Sequence, residues 1–355
     1  MNTTHRIFYR NSNKMSEITP NSVDLIVTSP PYPMIEMWDP LFCDFNPQIK
    51  QILEEGDAKK AFSLMHNVLK QVWKDCVRVL KEGGILCINI GDATRKINKN
   101  FQLFPNHVIV ADFFQKNGFI SLPSILWRKP TNAPNKFMGS GMLPPNAYVT
   151  LEHEYILLFR KGEKKLKLPP KSTKRYQSAY FWEERNNWFS DIWSDFRGTP
   201  QSLTDGKKND IDEIRERSAA FPLELPYRII NMYSIYGDTI LDPFWGTGTT
   251  SLAAMICGRN SIGYELNTEF KKIFYSRIEN IVLLNKAINK ERLNSHISFI
   301  NQQIKLGKEL KHQNINYDFK VITSQEKELL LYFINKIAVN ENVISVVHEP
   351  YYPDR

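Results

Sequence analysis

Two short motifs in this chain carry residue types suited to chemistry on a planar amine. Thr28-Ser29-Pro30-Pro31-Tyr32 closes an apolar run, and Leu241-Asp242-Pro243-Phe244-Trp245-Gly246-Thr247-Gly248-Thr249-Thr250 lies far downstream. The exocyclic amine of a nucleic-acid base is a poor nucleophile, because its lone pair is delocalised into the ring. A site can localise that pair by accepting hydrogen bonds from both N–H bonds. Ser29 offers a hydroxyl acceptor. The Pro30 carbonyl offers a second, held rigid because Pro31 restricts the residue before it. Tyr32 offers an aromatic face for an unstacked base. Alone, Ser-Pro-Pro also reads as a rigid turn after a strand; a cofactor loop in the same chain favours the chemical reading.

The second motif has the composition of such a loop. Gly246 and Gly248 permit a tight turn and close approach of backbone to ligand. Thr249 or Thr250 can cap the helix that follows, whose free N–H groups favour an anionic group such as a carboxylate. Glu265 lies one helix and one strand later, where a carboxylate can accept hydrogen bonds from ribose hydroxyls. A dinucleotide fingerprint wants a third glycine, and position 251 is Ser251. That disfavours a nicotinamide-dependent oxidoreductase, and the lack of a Gly-Lys-Ser/Thr run disfavours an ATP loop. Asp242 suits the positively charged amino group in the methionine part of S-adenosyl-L-methionine, the cofactor expected here. No Pro-Cys pair occurs, which argues against covalent attack at cytosine C5.

The elements around these motifs follow from apolar spacing. Val23 to Thr28 reads as a strand stopped by the two prolines. Ala61 to Leu80 reads as a helix ended by Gly83-Gly84, followed by a buried strand from Ile85 to Ile90. Val108 to Gln115 reads as a helix; Ile120 to Trp127 and Tyr155 to Phe159 read as strands. Beyond a polar stretch, Leu223 to Tyr236 reads as an amphipathic helix. Thr239 to Leu241 is a strand feeding the glycine loop, Ser251 to Cys257 a helix, Ser261 to Tyr264 a strand, and Glu269 to Lys286 a long helix. In the tail, Gln325 to Ile337 reads as helical and Val343 to Val347 as β-like. Alternating helices and short apolar strands predict a doubly wound sheet.

The 355 residues carry a formal net charge of +8, which favours polyanionic partners. Eight cations, Arg160, Lys161, Lys164, Lys165, Lys167, Lys171, Lys174 and Arg175, stand together against Glu163. They open a segment rich in Tyr, Trp and Arg. Trp182, Trp188 and Trp193 are expected to form that segment's own small core. His107 and His153 have no partners at metal-like spacing, so no metal is expected. Asp92 reads as a turn residue, and Trp38 as core packing or a cover over a base. No apolar run reaches a membrane span, and Met1 to Arg10 has no apolar core of a secretory signal. Cys43, Cys76, Cys87 and Cys257 form no close pair, so a reducing cytoplasmic setting is expected.

With these motifs in hand, the chain resembles the amino-methyltransferases of DNA, in the permuted β class where the catalytic motif precedes the cofactor motif. The likeness runs from about Asn21 to Asn280, excluding the polar segment. Arg78-Val-Leu-Lys-Glu-Gly-Gly-Ile-Leu, Leu126-Trp127-Arg128-Lys129-Pro130 and Glu152-His-Glu-Tyr-Ile-Leu-Leu-Phe-Arg-Lys161 resemble its core passages. Ser218-Ala-Ala-Phe221-Pro222 resembles the element that helps hold the methionine part, and Asn11 stands near the position that contacts the cofactor's adenine. The resemblance implies an α/β, Rossmann-like, doubly wound, mostly parallel seven-stranded sheet with an inserted target-recognition region. Residues 1–160 would be the catalytic half, 161–217 the recognition region, 218–290 the cofactor-binding half and 291–355 a C-terminal extension. It implies methyl transfer to a flipped base in double-stranded DNA, in a restriction–modification setting with a companion endonuclease. Members acting on adenine N6 usually have Asp where Ser29 stands, whereas Ser is typical of cytosine N4 enzymes. Cytosine N4 is therefore expected, with adenine N6 the alternative. A catalytically inert DNA-binding protein on the same fold is the alternative of another class. Lys171, Lys174 and Arg175 are expected at phosphates, and Arg185 or Arg197 at base edges.

Overall fold

The computed structural model describes residues 1–129, 138–165, 168–169, 171–196 and 221–353. Its frame is an eleven-stranded sheet. In chain order these strands are β1 (Asn2–Tyr9), β2 (Val23–Thr28), β3 (Leu80–Ile90), β4 (Phe119–Ser121), β5 (Ile125–Arg128), β6 (His153–Lys161), β7 (Ile192–Trp193), β8 (Thr239–Asp242), β9 (Asn260–Glu265), β10 (Tyr332–Asn340) and β11 (Val343–Pro350). They lie side by side as β7-β5-β6-β3-β2-β8-β9-β1-β11-β10, with β4 also pairing β6. The five central strands, β3 to β1, run parallel. β6 and β11 flank them antiparallel. The expected seven strands fall short of these eleven, because β10 and β11 extend one edge, β7 the other, and β4 pairs β6 beside the path.

The centre is parallel because both of its faces are covered. Val23, Leu25, Ile26 and Val27 are all inaccessible to solvent. Alternation along β2 sends them to two different cores. Ile26, with Leu86 and Ile88, packs under Met65, Leu69 and Trp73 of the helix Ala58–Val79. Leu25 and Val27, with Cys87, pack under Leu225 and Ile229 of the helix Glu224–Tyr233 and Ala253 of the helix Thr249–Ile256. Full burial of each large side chain contributes about 1.5–3 kcal/mol, so the registers of β2 and β8 are strongly held. β2 and β8 are direct neighbours, with Leu25 opposite Ile240 and Ile26 opposite Leu241. Strands distant in sequence thus bring the two motifs together at one end of the sheet.

Several elements differ from their sequence reading. Ile120 to Trp127 divides into β4 and β5, with Pro123 between them. The long helix from Glu269 divides into Phe270–Ile278 and Ile281–Lys305. Gln325 to Ile337 is not helical: a short 3-10 turn, Ser324–Glu326, precedes β10. Antiparallel pairing with β11, and through it with β1, overrides the local helical spacing. The three tryptophans do not form a core of their own. Trp188 and Trp193 share the core of Leu225 and Ile229, β7 pairs β5, and Trp182 is 40% exposed. Among the described residues no helix is long and apolar enough to cross a membrane.

Candidate active site

The chain leaves β2 at Thr28 and β8 at Asp242, and these two ends are tied directly. Thr28 Oγ1 donates to Asp242 Oδ1 at 2.6 Å, Phe244 N donates to the same oxygen at 3.1 Å, and Thr250 Oγ1 donates to Oδ2 at 2.6 Å. Asp242 is 2% exposed, and burial pushes its pKa up to about 6. Its carboxylate therefore fastens the glycine loop to β2 and is not among the groups lining the cleft.

The two glycines of the loop serve different ends. Gly248 has φ +75, and a Cβ there would lie 2.3 Å from Phe274 Cδ2 and 2.6 Å from Trp245 Cζ2. Its lack of a side chain serves the packing of the Trp245 ring, whose indole N–H donates to Ser251 Oγ at 2.8 Å. Gly246 has φ +53, and a Cβ there would meet nothing closer than Phe244 O at 4.0 Å. Gly246 borders the cleft and leaves room beside its backbone. Thr249 is buried, its hydroxyl accepting from Arg277 Nη1 at 2.9 Å.

At the end of β9, Glu265 accepts from the N–H groups of Gly246 (2.7 Å), Leu266 (2.8 Å) and Asn267 (2.9 Å). Burial raises its pKa, these three bonds oppose that, and its carboxylate borders the cleft. The cleft encloses about 940 Å³ between Asn11, Ser29 to Tyr32, Trp38, Pro243, Phe244, Gly246, Glu265 and Phe270. Asn11 Oδ1 accepts from Asn13 N at 2.8 Å. Phe221 packs on the second core, and the Pro222 carbonyl accepts from Leu225 N at 3.2 Å. Neither borders the cleft.

Facing the loop across the cleft is a buried polar network. Tyr32 Oη donates to Glu154 Oε2 at 2.9 Å, and Asn89 Nδ2 donates to Tyr32 Oη (2.9 Å) and to Glu154 Oε2 (2.7 Å). Lys129 Nζ pairs with Glu154 Oε1 at 2.9 Å. Burial first, then the Glu154 charge, holds the Tyr32 pKa well above the usual phenol value, so its single proton stays in place. An ionised carboxylate only accepts, so that proton goes to Glu154. Ser29 Oγ, 3.0 Å from Tyr32 Oη, is then the donor of that contact, sharing the Tyr32 oxygen with Asn89 Nδ2 and the Gly91 N–H. Both lone pairs of Ser29 are left as acceptors in the cleft. Gly91 makes room for the tyrosine, since a Cβ there would lie 3.0 Å from Tyr32 Cε2. Asn89, Gly91, Lys129 and Glu154 were not singled out from sequence. The signal for one of them was present, as Asn89 interrupts the apolar run Ile85 to Ile90, whereas Glu154 stands before the apolar run of β6.

The described basic residues of the polar segment do not line this cleft. Arg175 and Arg185 line a separate cavity of about 500 Å³ with Asp24, Gly83, Gly84 and Asp238. Those four stand at or near the amino-terminal ends of β2, β3 and β8, whereas Ser29 follows the carboxyl end of β2. Lys174 Nζ reaches to 3.2 Å from the position a Cβ on Gly237 would take, at that same end. Lys171 is exposed two residues before the helix Thr173–Gln177. Arg197 and Ser218 lie outside the described residues. Asp92 accepts from His107 N at 3.2 Å and contacts its Nδ1 at 2.8 Å, while the imidazole stacks on Tyr155. Trp38 both packs on the first core and borders the cleft. No group of three or more metal-binding side chains occurs among the described residues.

A cleft at the carboxyl ends of parallel strands, with an acidic strand end and an open glycine, fits an adenosine-type cofactor beside an amine acceptor site. The family model described as DNA methylase (N6_N4_Mtase) matches residues 23–276. The chain belongs to this family. It is 53% identical over 346 residues to the type II methyltransferase M.MthZI of Methanothermobacter thermautotrophicus, covering 96% of this chain and 94% of that one. It is 52% identical to the type II methyltransferase M.MjaI of Methanocaldococcus jannaschii, covering 78% and 91%. Among solved structures it resembles TTHA0409 of Thermus thermophilus complexed with S-adenosyl-L-methionine, with a TM-score of 0.60, 29% identity and coverage of 78% and 94%. PvuII DNA methyltransferase, cytosine-N4-specific, superposes with a TM-score of 0.51 at 18% identity, covering 81% and 93%; at that identity the likeness concerns the fold. The chain is an S-adenosylmethionine-dependent DNA methyltransferase.

Within this methyltransferase, Glu265 and Gly246 border the cleft on the side of the glycine loop. Pro243, Phe244 and Phe270 supply apolar walls.

Proposed function

We propose that this methyltransferase modifies the exocyclic N4 of a cytosine flipped out of double-stranded DNA. The reading rests on Ser29, a hydroxyl where members acting on adenine N6 usually carry Asp. The Tyr32–Asn89–Glu154 network supports it by engaging that hydroxyl's proton, so that Ser29 offers the cleft an acceptor. Ser29 Oγ takes one N–H of the target amine. The Pro30 carbonyl, to which nothing among the described residues donates, takes the other. Together they aim the nitrogen lone pair into the cleft and away from the ring. When bound, S-adenosylmethionine supplies an electrophilic methyl group on a sulfonium. In-line displacement of that kind needs position more than acid–base power. The Tyr32 ring offers its face to the extruded base.

We further propose that the enzyme works in a restriction–modification system, protecting sites from a companion endonuclease. Incubating the protein with methyl-labelled cofactor and genomic DNA, then digesting to nucleosides, tests the base directly. N4-methylcytosine is the expected product. Exclusive N6-methyladenine would overturn the base assignment and leave the family membership intact.

A further inference from the structure

Two hairpins extend from the same end of the sheet as the cleft, and the first anchors itself by sending Ala93, Ile97 and Phe104 into the first core. One, Ala93–Ile97 with Asn100–Phe104, follows the carboxyl end of β3. Arg95 ties it to the cleft wall through a bidentate pair with Asp39, at 2.9 and 2.6 Å. Lys96 and Lys99 on this hairpin are exposed, and neither forms an ion pair with a carboxylate among the described residues. The second hairpin, Met138–Gly139 with Ala147–Tyr148, lies in the connection between β5 and β6, whose ends carry Lys129 and Glu154 of the active site. Its Tyr148 ring stacks on Phe101 of the first hairpin at 4.8 Å and 12°. Beside that stack Met142, Leu143 and Val149 are 83%, 71% and 85% exposed.

Three apolar side chains held out in water next to an active site call for a partner. The reading of a flipped base supplies one, and the present inference rests on that reading. A nucleotide turned out of the duplex leaves a gap in the base stack. Proteins that open such gaps place apolar wedges into them and neutralise the phosphates on either side with lysine or arginine. The two hairpins carry both kinds of residue at the end of the sheet that holds the cleft, whereas Lys174, Arg175 and Arg185 stand at the opposite end.

We propose that these two hairpins are the duplex-facing rim of the enzyme. Met142 and Leu143 enter the base stack beside the flipped nucleotide, and Lys96 and Lys99 contact the flanking phosphates.

The test uses a duplex containing the recognition sequence, located by modification-sensitive sequencing of DNA from an expressing cell, with 2-aminopurine at the target position. Binding of the native enzyme should raise its fluorescence as the base unstacks. Met142→Ser with Leu143→Ser should abolish most of that rise and lift KM for DNA by about ten-fold, one stacking interaction's worth. Affinity for S-adenosylmethionine should be unchanged, showing that the fold is intact. Lys96→Ala with Lys99→Ala should reduce the slope of log Kobs against log salt by about 1.8, or about 0.9 for each phosphate contact. Lys174→Ala with Arg175→Ala should leave that slope alone. A full fluorescence rise in the Met142/Leu143 variant would overturn the wedge. Flattening by the Lys174/Arg175 pair in place of the Lys96/Lys99 pair would overturn the choice of face. Failure of the native enzyme to transfer methyl groups to any DNA is a separate result, and would overturn the functional reading with the proposal built on it.

Discussion

Replacing Glu154 by glutamine changes one atom and removes one charge, yet it should disable Ser29 through Tyr32. In the native network Glu154 Oε2 takes protons from Tyr32 and Asn89, and Oε1 faces the Lys129 ammonium. The substituted amide has one accepting oxygen. If that oxygen faces Tyr32, the new NH₂ group confronts Lys129, donor against donor. If the amide turns over, the NH₂ group confronts Tyr32 and Asn89. Tyr32 must then accept from it and send its own proton to Ser29, whose hydroxyl proton swings into the cleft. Ser29 would meet the target amine as a donor, the wrong polarity. A hydrogen bond to a charged group contributes about 1.5–3 kcal/mol, which corresponds to about ten- to a hundred-fold in rate. Single-turnover methylation with labelled cofactor should show the rate falling by that factor, and calorimetry should show unaltered cofactor affinity, since Glu265 and Gly246 lie across the cleft. Turnover matching the native enzyme in Glu154→Gln would refute the proton bookkeeping that makes Ser29 an acceptor.

Two further expectations follow from the glycine loop. Gly248→Ala forces a Cβ into Trp245 and Phe274 at positive φ. It should lower stability by about 2–5 kcal/mol, combining left-handed strain with overpacking, read as a fall in Tm. Gly246→Ala has open space and should lower stability by about 1–2 kcal/mol, while weakening cofactor binding in calorimetry; equal stability losses for the two would contradict the division of labour. Asp242 gives a pH signature. Its folded pKa, about 6 against an ordinary 3.8, lies above the unfolded value. The folded state therefore holds this proton more tightly, and the stability from this group falls as pH rises between about 4 and 6, by roughly 3 kcal/mol. Asp242→Asn removes that loss, so its Tm relative to the native enzyme should climb across this window. A pH-independent difference would show that the Asp242 carboxyl is not perturbed by burial.

The frame was legible where a single local signal decided each element. Two prolines stop β2, an apolar stripe marks the helix Ala58–Val79, and the glycine loop announces the strand before it. Both strands of the motif pair, β2 and β8, were readable, and the fold sets them side by side. Tertiary pairing decided what sequence missed. Tyr332 to Asn340 was read as helical over its first half but is a strand, because β11 and β1 offer it an edge. Trp188 and Trp193 fill a gap over the main sheet, which nothing in their own segment foretells. The Ser29 network draws on Asn89, Lys129 and Glu154, which come from three strands or their ends. For Asn89, only polar intrusion into an apolar run hinted at the role. For Asp242 the position was readable, but its bonds to Thr28 and Thr250 were not.

The measurement that bears most directly on the central claim is the identity of the methylated nucleoside. DNA modified by the native enzyme, and in parallel by Ser29→Ala, should be digested and resolved by mass spectrometry. The account predicts N4-methylcytosine from the native enzyme and a strongly reduced yield from Ser29→Ala, whose cofactor affinity is retained. N6-methyladenine as the product, or an undiminished yield without the Ser29 hydroxyl, would contradict it.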